Sequence, residues 1–135
     1  MHKQAQQKPV ILWVDDDADD SQLFREAFES HNTRHQLVQV WDAMEALAYL
    51  RQQDQDLKPV LIVLDINMPL MNGKELLSEL KGNPVYRGIP VVMVSTSNTA
   101  EDQEFCERYH VMIMEKPDSE EGIDQMVRQL VNVAL

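Results

Sequence analysis

The run Val60-Leu61-Ile62-Val63-Leu64, with Asp65 directly behind it, is the most continuous apolar stretch of the chain. A strand without polar side chains must be covered on both faces, which is typical of a parallel sheet with helices on either side. Ligands of such sheets bind outside the carboxyl ends of the strands. The run therefore predicts an α/β fold and makes Asp65 the first candidate for a functional residue.

Four further apolar runs predict the rest of the sheet. We predict strands at residues 10–14, 37–41, 60–64, 91–94 and 111–114, with Trp13 and Trp41 as core or strand anchors. Because helical stripes alternate with these runs, we expect five strands and five helices, with helices on both faces and all strand carboxyl ends at one edge.

The predicted helices are defined by apolar residues at helical spacing. These residues are Leu23, Phe24, Ala27 and Phe28 within residues 19–30; Ala43, Ala46, Leu47 and Leu50; Leu76, Leu77 and Leu80; Phe105, Cys106 and Tyr109 within residues 99–109; and Ile123, Met126, Val127, Leu130 and Val131. Asp42 is the predicted N-cap of the second helix, and Asp118 with Glu121 resembles a capping box before the fifth.

Composition narrows the class of protein. Of 135 residues 44% are hydrophobic, which predicts a packed globule, and the net charge of −11 argues against nucleic-acid and acidic-membrane partners. No apolar run is long enough to span a membrane, and the single Cys106 fits a reducing cytoplasm. We expect a loose tail at residues 1–8 and one domain at residues 9–135, without an output domain.

Residues whose side chains could take part in chemistry follow four of the predicted strands. Asp15, Asp16 and Asp17 follow the first strand and Asp65 the third, while Ser95 and Thr96 follow the fourth and Lys116 and Pro117 the fifth. Clustered carboxylates repel one another and favour a hard divalent cation such as Mg²⁺. A carboxylate held between a cation and a lysine can attack phosphorus. The pattern predicts phosphoryl transfer to an aspartate.

Four motifs in this order and spacing resemble bacterial response-regulator receiver domains. They are Val14-Asp-Asp16, Leu64-Asp-Ile-Asn-Met-Pro69 with Gly73, Ser95-Thr96, and Lys116-Pro117. The resemblance implies the CheY-like, flavodoxin-like (βα)5 fold with strand order 2-1-3-4-5. The loop around Pro84-Val-Tyr-Arg87 and the Ser-Thr-Ser run resemble the phytochrome-associated subgroup.

The resemblance also implies roles for individual residues. Asp65 would be the phosphoacceptor. Mg²⁺, or Mn²⁺ in its place, would be bound by Asp16, Asp65, the backbone carbonyl of Asn67 and, through water, Asp15. Ser95 would be the switch hydroxyl and Lys116 the phosphoryl partner, with Thr96, Asn67 and Ser97 neighbouring the phosphoryl group and Pro69, Gly73 and Pro117 shaping turns. The Lys116–Pro117 bond is often cis in the family.

A stand-alone receiver of this kind would take its phosphoryl group from a histidine kinase or a histidine phosphotransfer protein. Its only chemistry would be Mg²⁺-dependent phosphorylation and dephosphorylation at Asp65. Phosphorylation would shift the face formed by the fourth helix and fifth strand, which we expect to dock a downstream target or a second copy of the chain.

The sequence departs from the family at several places, among them a segment between Ser95 and Lys116 that is about one residue short. Ile113 stands at the second switch position, where the family often has an aromatic residue. Thr96 is bulkier than the usual Ala or Gly, and we expect it to hinder water and slow hydrolysis of the acyl phosphate. Tyr109 and His110 replace the small residues that usually precede the fifth strand.

The same residues allow other interpretations. Asp19 and Asp20 are best explained as solvated acids at a helix start, and Asp17 is ambiguous. An EF-hand at Asp15, Asp17, Asp19 and Glu26 is disfavoured because Asp20 replaces its glycine and a strand precedes it. The motif Asp15-Asp-Asp17 also matches a haloacid-dehalogenase-type phosphatase with Asp15 as nucleophile. A third alternative is a receiver-like adaptor that only binds proteins.

Overall fold

The computed structural model describes residues 8–31, 34–52, 58–68 and 71–134. Five strands and five helices alternate along the chain: β1(Val10–Val14), α1(Ala18–His31), β2(Gln36–Val40), α2(Ala43–Gln52), β3(Leu61–Asp65), α3(Gly73–Lys81), β4(Val91–Ser95), α4(Ala100–Arg108), β5(Met112–Glu115) and α5(Glu120–Ala134). Of the tail predicted at residues 1–8, only Lys8 is among the described residues. The predicted turn residue Pro69 also lies outside them.

The sheet has five parallel strands in the order β2-β1-β3-β4-β5, which confirms the predicted fold and topology. Strands β3 and β4 end on polar residues, because Asp65 still pairs with Val94 and Ser95 with Glu115. The prediction from apolar runs had placed both strand ends one residue earlier. Two polar side chains of interest are therefore fixed by the sheet ladder itself.

The two faces of the sheet carry separate cores. One face packs Leu12, Leu64 and Met93 against α2, α3 and α4. The other face packs Trp13, Val63 and Val94 against α1 and α5. Because alternate strand residues point to opposite faces, a run as apolar as β3 is buried completely. Both faces of the sheet are therefore packed by core residues up to its carboxyl edge.

Two apolar residues predicted to be buried are exposed. Leu23 on α1 is 42% exposed, and Trp41 lies just beyond β2 and is 53% exposed. Trp13 is only 3% exposed and contacts Phe24, so the prediction of an anchor was right for one tryptophan and wrong for the other. Leu23 lies at the margin of the apolar stripe that Phe24, Ala27 and Phe28 bury. Cys106 is buried in the core, as expected of a small apolar side chain.

Helix starts were predicted correctly for α2 and wrongly for α5. Asp42 Oδ1 accepts the N–H of Glu45 at 2.8 Å and caps α2. The capping box of Asp118 and Glu121 does not form, because α5 begins at Glu120 and Ser119 Oγ accepts the N–H of Gly122 at 3.1 Å. A Cβ at position 122 would lie 2.6 Å from Cβ of Pro117, so the chain entering α5 packs tightly against this turn.

Helix α4 ends in a Schellman motif that has histidine at its left-handed position. His110 has φ 57°, its N–H donates to the carbonyl of Glu107, and the N–H of Val111 donates to the carbonyl of Cys106. Glycine is the usual residue at this position because it lacks a Cβ. The unusual residue noted in the sequence therefore sits at a strained turn between α4 and β5.

Candidate functional site

The carboxyl edge of the sheet brings Asp15, Asp65 and Lys116 together. Lys116 Nζ lies 2.8 Å from Asp15 Oδ2 and 3.3 Å from Asp65 Oδ2. The side chains of all three are nearly buried, with exposed fractions of 1% for Asp15, 6% for Asp65 and 7% for Lys116. Three segments that are distant in sequence thus form one charged cluster.

A third carboxylate also contacts the lysine. Asp20 Oδ2 lies 3.0 Å from Lys116 Nζ, so the interpretation of Asp20 as a solvated helix acid is wrong. Asp17 Oδ1 accepts the N–H of Asp20 at 3.0 Å and caps α1, which places Asp20 at the third helical position. Side chains on a helix lean towards its N-terminus, and the N-terminus of α1 faces the site. Because β1 precedes this segment and Asp17 caps α1 directly behind it, the segment does not form the calcium-binding loop of an EF-hand.

The carboxylates of Asp15, Asp16 and Asp65 fit a divalent cation. One oxygen of each lies within 4.8 Å of the others, Asp16 is exposed, and Asp15 and Asp65 are buried. All three offer the hard oxygen ligands that Mg²⁺, Mn²⁺ and Ca²⁺ accept. Lys116 alone cannot neutralise so many carboxylates, so a cation on the side of Asp16 would relieve their repulsion.

Burial has the largest effect on the pKa of the Asp65 carboxyl. It raises the pKa of Asp65 from 3.8 to about 6, although the N–H of Asn67 and the charge of Lys116 act in the opposite direction. That N–H donates to Asp65 Oδ1 at 3.0 Å. Burial lowers the pKa of Lys116, but its hydrogen bond to Asp15 and the charges of Asp15 and Asp65 outweigh this and raise that pKa above its usual value. The lysine therefore stays charged.

Gly73 fits the site through close packing and not through an unusual backbone angle. No glycine in the described residues has positive φ. A Cβ on Gly73 would clash with the backbone carbonyl of Asp65 and lie 2.9 Å from Cα of Ile66. The N–H of Gly73 donates to the carbonyl of Ile66 at 3.1 Å, which ties the start of α3 to the loop after Asp65.

Ser95 is completely buried, and its hydroxyl faces α4. Within the described residues, every hydrogen bond of Ser95 Oγ runs to the β4–α4 loop or to α4. It accepts the N–H groups of Ser97 at 3.1 Å and Asn98 at 3.0 Å, and it lies 3.4 Å from Asp102 Oδ2 and from Ser97 Oγ. The predicted switch hydroxyl is thus held on the side of α4.

The remaining predicted site residues lie around this edge. Thr96 and Ser97 are exposed beyond β4, Asn67 is exposed beyond β3, and Ile113 is half-buried against the core on the α4 face. No peptide bond of the described residues is cis, so the bond between Lys116 and Pro117 is trans here, unlike the form that the motif suggested.

Sequence reasoning missed three residues close to this site. They are Asp20, Lys74 and Asp102. Asp102 follows its N-cap Thr99 by three residues, as Asp20 follows Asp17, so both acids occupy the third helical position beside the sheet edge. That shared position was the available signal. Lys74 carried no signal beyond its place one residue after Gly73.

No helix of the described residues is both long and apolar enough to cross a membrane.

Comparison with known proteins gives concordant matches. The family profile described as "Response regulator receiver domain" matches residues 11–128. Response regulator Rcp1 of Synechocystis sp. is 40% identical over 96 residues, which cover 69% of this chain and 65% of that relative, slightly less than two thirds of its length. The crystal structure of the phosphorylated cyanobacterial phytochrome response regulator RcpA has 36% identity and a TM-score of 0.80, with 90% of each chain covered. The Mn(2+)-bound form of Rcp1 has 34% identity and a TM-score of 0.78, again with 90% of each chain covered.

Proposed function

Because the chain belongs to the response regulator receiver domain family, we propose that it accepts a phosphoryl group on Asp65 in a two-component phosphorelay. The observation that carries this proposal is the placement of the Asp65 carboxylate, with Oδ2 against the Lys116 ammonium and the acidic cluster of Asp15 and Asp16 beside it. A nucleophilic carboxylate needs positive charge on both sides when a phosphoryl group arrives, and this geometry provides a place for each.

The donor would be a phosphohistidine of a histidine kinase or of a histidine phosphotransfer protein. A carboxylate oxygen of Asp65 forms a bond to phosphorus while the phosphorus–nitrogen bond breaks and its electron pair remains on the imidazole. Lys116 holds one phosphoryl oxygen as a point charge. Since the ammonium already contacts Asp65, it needs only a small movement to follow the new charge.

Mg²⁺ is the proposed cofactor, with Mn²⁺ as an alternative. Asp16, Asp65 and the backbone carbonyl of Asn67 would hold the ion directly and Asp15 through water. The bound ion supplies neutralisation of the phosphoryl charge during transfer. The related Rcp1 was solved in a Mn(2+)-bound form, which supports the proposal of a divalent-cation site in this chain.

The structure gives less support to Asp15 as the nucleophile of a phosphatase. Its Oδ1 accepts the N–H of Asp17 at 2.9 Å, its Oδ2 contacts Lys116, and only 1% of its side chain is exposed. Asp65 Oδ2 lies farther from Lys116, at 3.3 Å against 2.8 Å for Asp15, and more of its side chain is exposed, so we assign the acceptor role to Asp65.

The signal would leave through the face of α4 and β5. Phosphorylation replaces the single negative charge of the Asp65 carboxylate with nearly two on the phosphoryl group and draws Ser95 and Lys116 towards it. Strand β5 is the edge of the sheet next to β4, and Met112 on it is 50% exposed. We place the docking of a downstream protein, or of a second copy, on this face, and we place the protein in the cytoplasm, where a free cysteine stays reduced.

Incubation with acetyl phosphate and Mg²⁺, followed by intact mass spectrometry, tests the function. We expect one phosphoryl group per chain, absent when EDTA is present and released by hydroxylamine, as an acyl phosphate requires. A chain that stays unmodified with Mg²⁺ or Mn²⁺, and also fails to bind beryllofluoride, would show that the site does not accept phosphoryl groups.

A further inference from the structure

A buried carboxylate on α4 holds the switch hydroxyl of the unphosphorylated protein. Ser95 Oγ lies 3.4 Å from Asp102 Oδ2, and the side chain of Asp102 is only 10% exposed. A serine hydroxyl has a single proton to donate. If that proton points to Asp102, it cannot also point to a phosphoryl oxygen on Asp65.

Asp102 is a charged acceptor because Lys74 lies beside it. Lys74 Nζ is 2.8 Å from Asp102 Oδ1, and this hydrogen bond, which outweighs burial, lowers the pKa of Asp102. The same ammonium lies 5.4 Å from the ring centre of Phe105 and is 23% exposed. The pair is therefore fixed between the first turns of α3 and α4.

Lys74 is also linked, through the neighbouring Gly73, to the proposed phosphoacceptor Asp65. Lys74 directly follows Gly73, whose N–H is bonded to Ile66 and whose Cα packs on the carbonyl of Asp65. A continuous set of contacts thus runs from the Asp65 loop through Gly73 and Lys74 to Asp102 and Ser95. The family motifs that identify the site contain neither Lys74 nor Asp102.

We propose that Asp102 is a positioning residue that sets how readily the protein switches. It binds the Ser95 proton in the unphosphorylated form and competes with the phosphoryl group for that proton. This inference rests on the proposed function, because Ser95 must move towards a group on Asp65. Phosphorylation then transfers the Ser95 hydrogen bond to the phosphoryl oxygen and leaves Asp102 with Lys74 and Thr99 as its partners.

The expected effect is moderate. A hydrogen bond to a charged acceptor at 3.4 Å is long, so its loss should change the affinity for beryllofluoride by roughly threefold to tenfold. Asp102→Asn keeps the shape of the side chain and weakens the acceptor. We expect this variant to bind beryllofluoride more tightly than the wild type by that factor, and to be phosphorylated faster by acetyl phosphate.

Titration with beryllofluoride at fixed Mg²⁺, monitored through the NMR amide resonances of α4, measures this affinity. Glu101→Gln is the matched control, since Glu101 is the neighbouring acid, is 90% exposed and lies 3.9 Å from the same lysine. It should bind like the wild type. The same Asp102→Asn change in a Ser95→Ala background should have no effect on affinity, because the proton for which Asp102 competes is gone.

The outcomes separate this inference from the proposed function. A wild type that does not bind beryllofluoride refutes the function itself. If the wild type binds it, the role of Asp102 alone is refuted when Asp102→Asn does not tighten binding, or when it tightens binding by the same factor in the Ser95→Ala background.

Lys74→Met is the second variant, and it keeps the proposal testable if Asp102→Asn does not fold. Without the ammonium, Asp102 depends more on Ser95 as a donor, so beryllofluoride should bind more weakly. Tighter or unchanged binding in Lys74→Met contradicts the proposal.

Discussion

Replacing Asp65 by asparagine should stabilise the metal-free protein at neutral pH. The Asp65 side chain is 6% exposed, and burial raises its pKa from 3.8 to about 6. That rise corresponds to roughly 3 kcal/mol of free energy lost when the carboxyl ionises in the folded state. Asparagine keeps the shape and carries no charge. Because its amide gives up the attraction to Lys116, we expect a net gain of about 1–3 kcal/mol in the free energy of unfolding.

The pH dependence of this gain follows from the direction of the shift. A carboxyl whose folded pKa is raised binds its proton more tightly in the folded state than in the unfolded state. Its contribution to stability is complete below about pH 3.8 and is lost as the pH rises through about 6. The difference between Asp65→Asn and the wild type should therefore be small near pH 4, grow up to about pH 6 to 7 and then level off.

Urea unfolding of both proteins in EDTA, monitored by circular dichroism across this pH range, measures the difference in the free energy of unfolding. Asp19→Asn is the matched control, because it removes an exposed acid from the same edge. It should change stability by less than about 0.5 kcal/mol. Saturating Mg²⁺ should stabilise the wild type more than Asp65→Asn, since the variant lacks one carboxylate ligand.

Two results would refute this reasoning. The first is a variant that is less stable than the wild type at pH 7.5 in EDTA, which would mean that the pair with Lys116 outweighs the cost of burying the charge. The second is a difference that grows as the pH falls from 6 to 4. Either result would remove the electrostatic basis for a cation at this site.

Three further predictions concern residues around the site. Thr96→Ala should speed loss of the phosphoryl group, measured by intact mass after removal of the donor, because a smaller side chain admits water; an unchanged rate contradicts the hypothesis. Gly73→Ala should lower the free energy of unfolding by more than about 1 kcal/mol, because its Cβ meets the backbone of Asp65; equal urea midpoints contradict the close packing. His110→Gly should raise the melting temperature, with a gain of about 0.5–1 kcal/mol from relief of its left-handed conformation; a lower melting temperature would show that the histidine side chain contributes more than its backbone costs.

Repeated patterns in the sequence predicted the alternation of strands and helices, and the motifs predicted the family and, through it, the strand order. Five apolar runs and five helical stripes are enough to indicate alternating strands and helices, and four motifs at strand ends indicated the family that the profile match confirms. Strand ends were less predictable. Asp65 and Ser95 belong to the sheet through backbone pairing, which the polarity of their side chains conceals.

Contacts made by long or charged side chains could not be read from patterns. Asp20 looks like a surface acid, and only the start of α1 at Ala18 turns it back towards Lys116. Asp102 lies between the polar residues Glu101 and Gln103 in sequence, yet it is buried because α3 brings Lys74 against it. Trp41 is apolar but exposed, since β2 is an edge strand that ends before it. Each case depends on how two separate elements meet.

The identity of the phosphorylated residue tests the account most directly. Borohydride reduces an aspartyl phosphate to homoserine, so the protein is phosphorylated with acetyl phosphate and Mg²⁺, reduced, digested and sequenced by tandem mass spectrometry. Our account predicts homoserine at position 65 and at no other aspartate. Homoserine at position 15 or 16, or a phosphoryl group retained by Asp65→Asn, would contradict it.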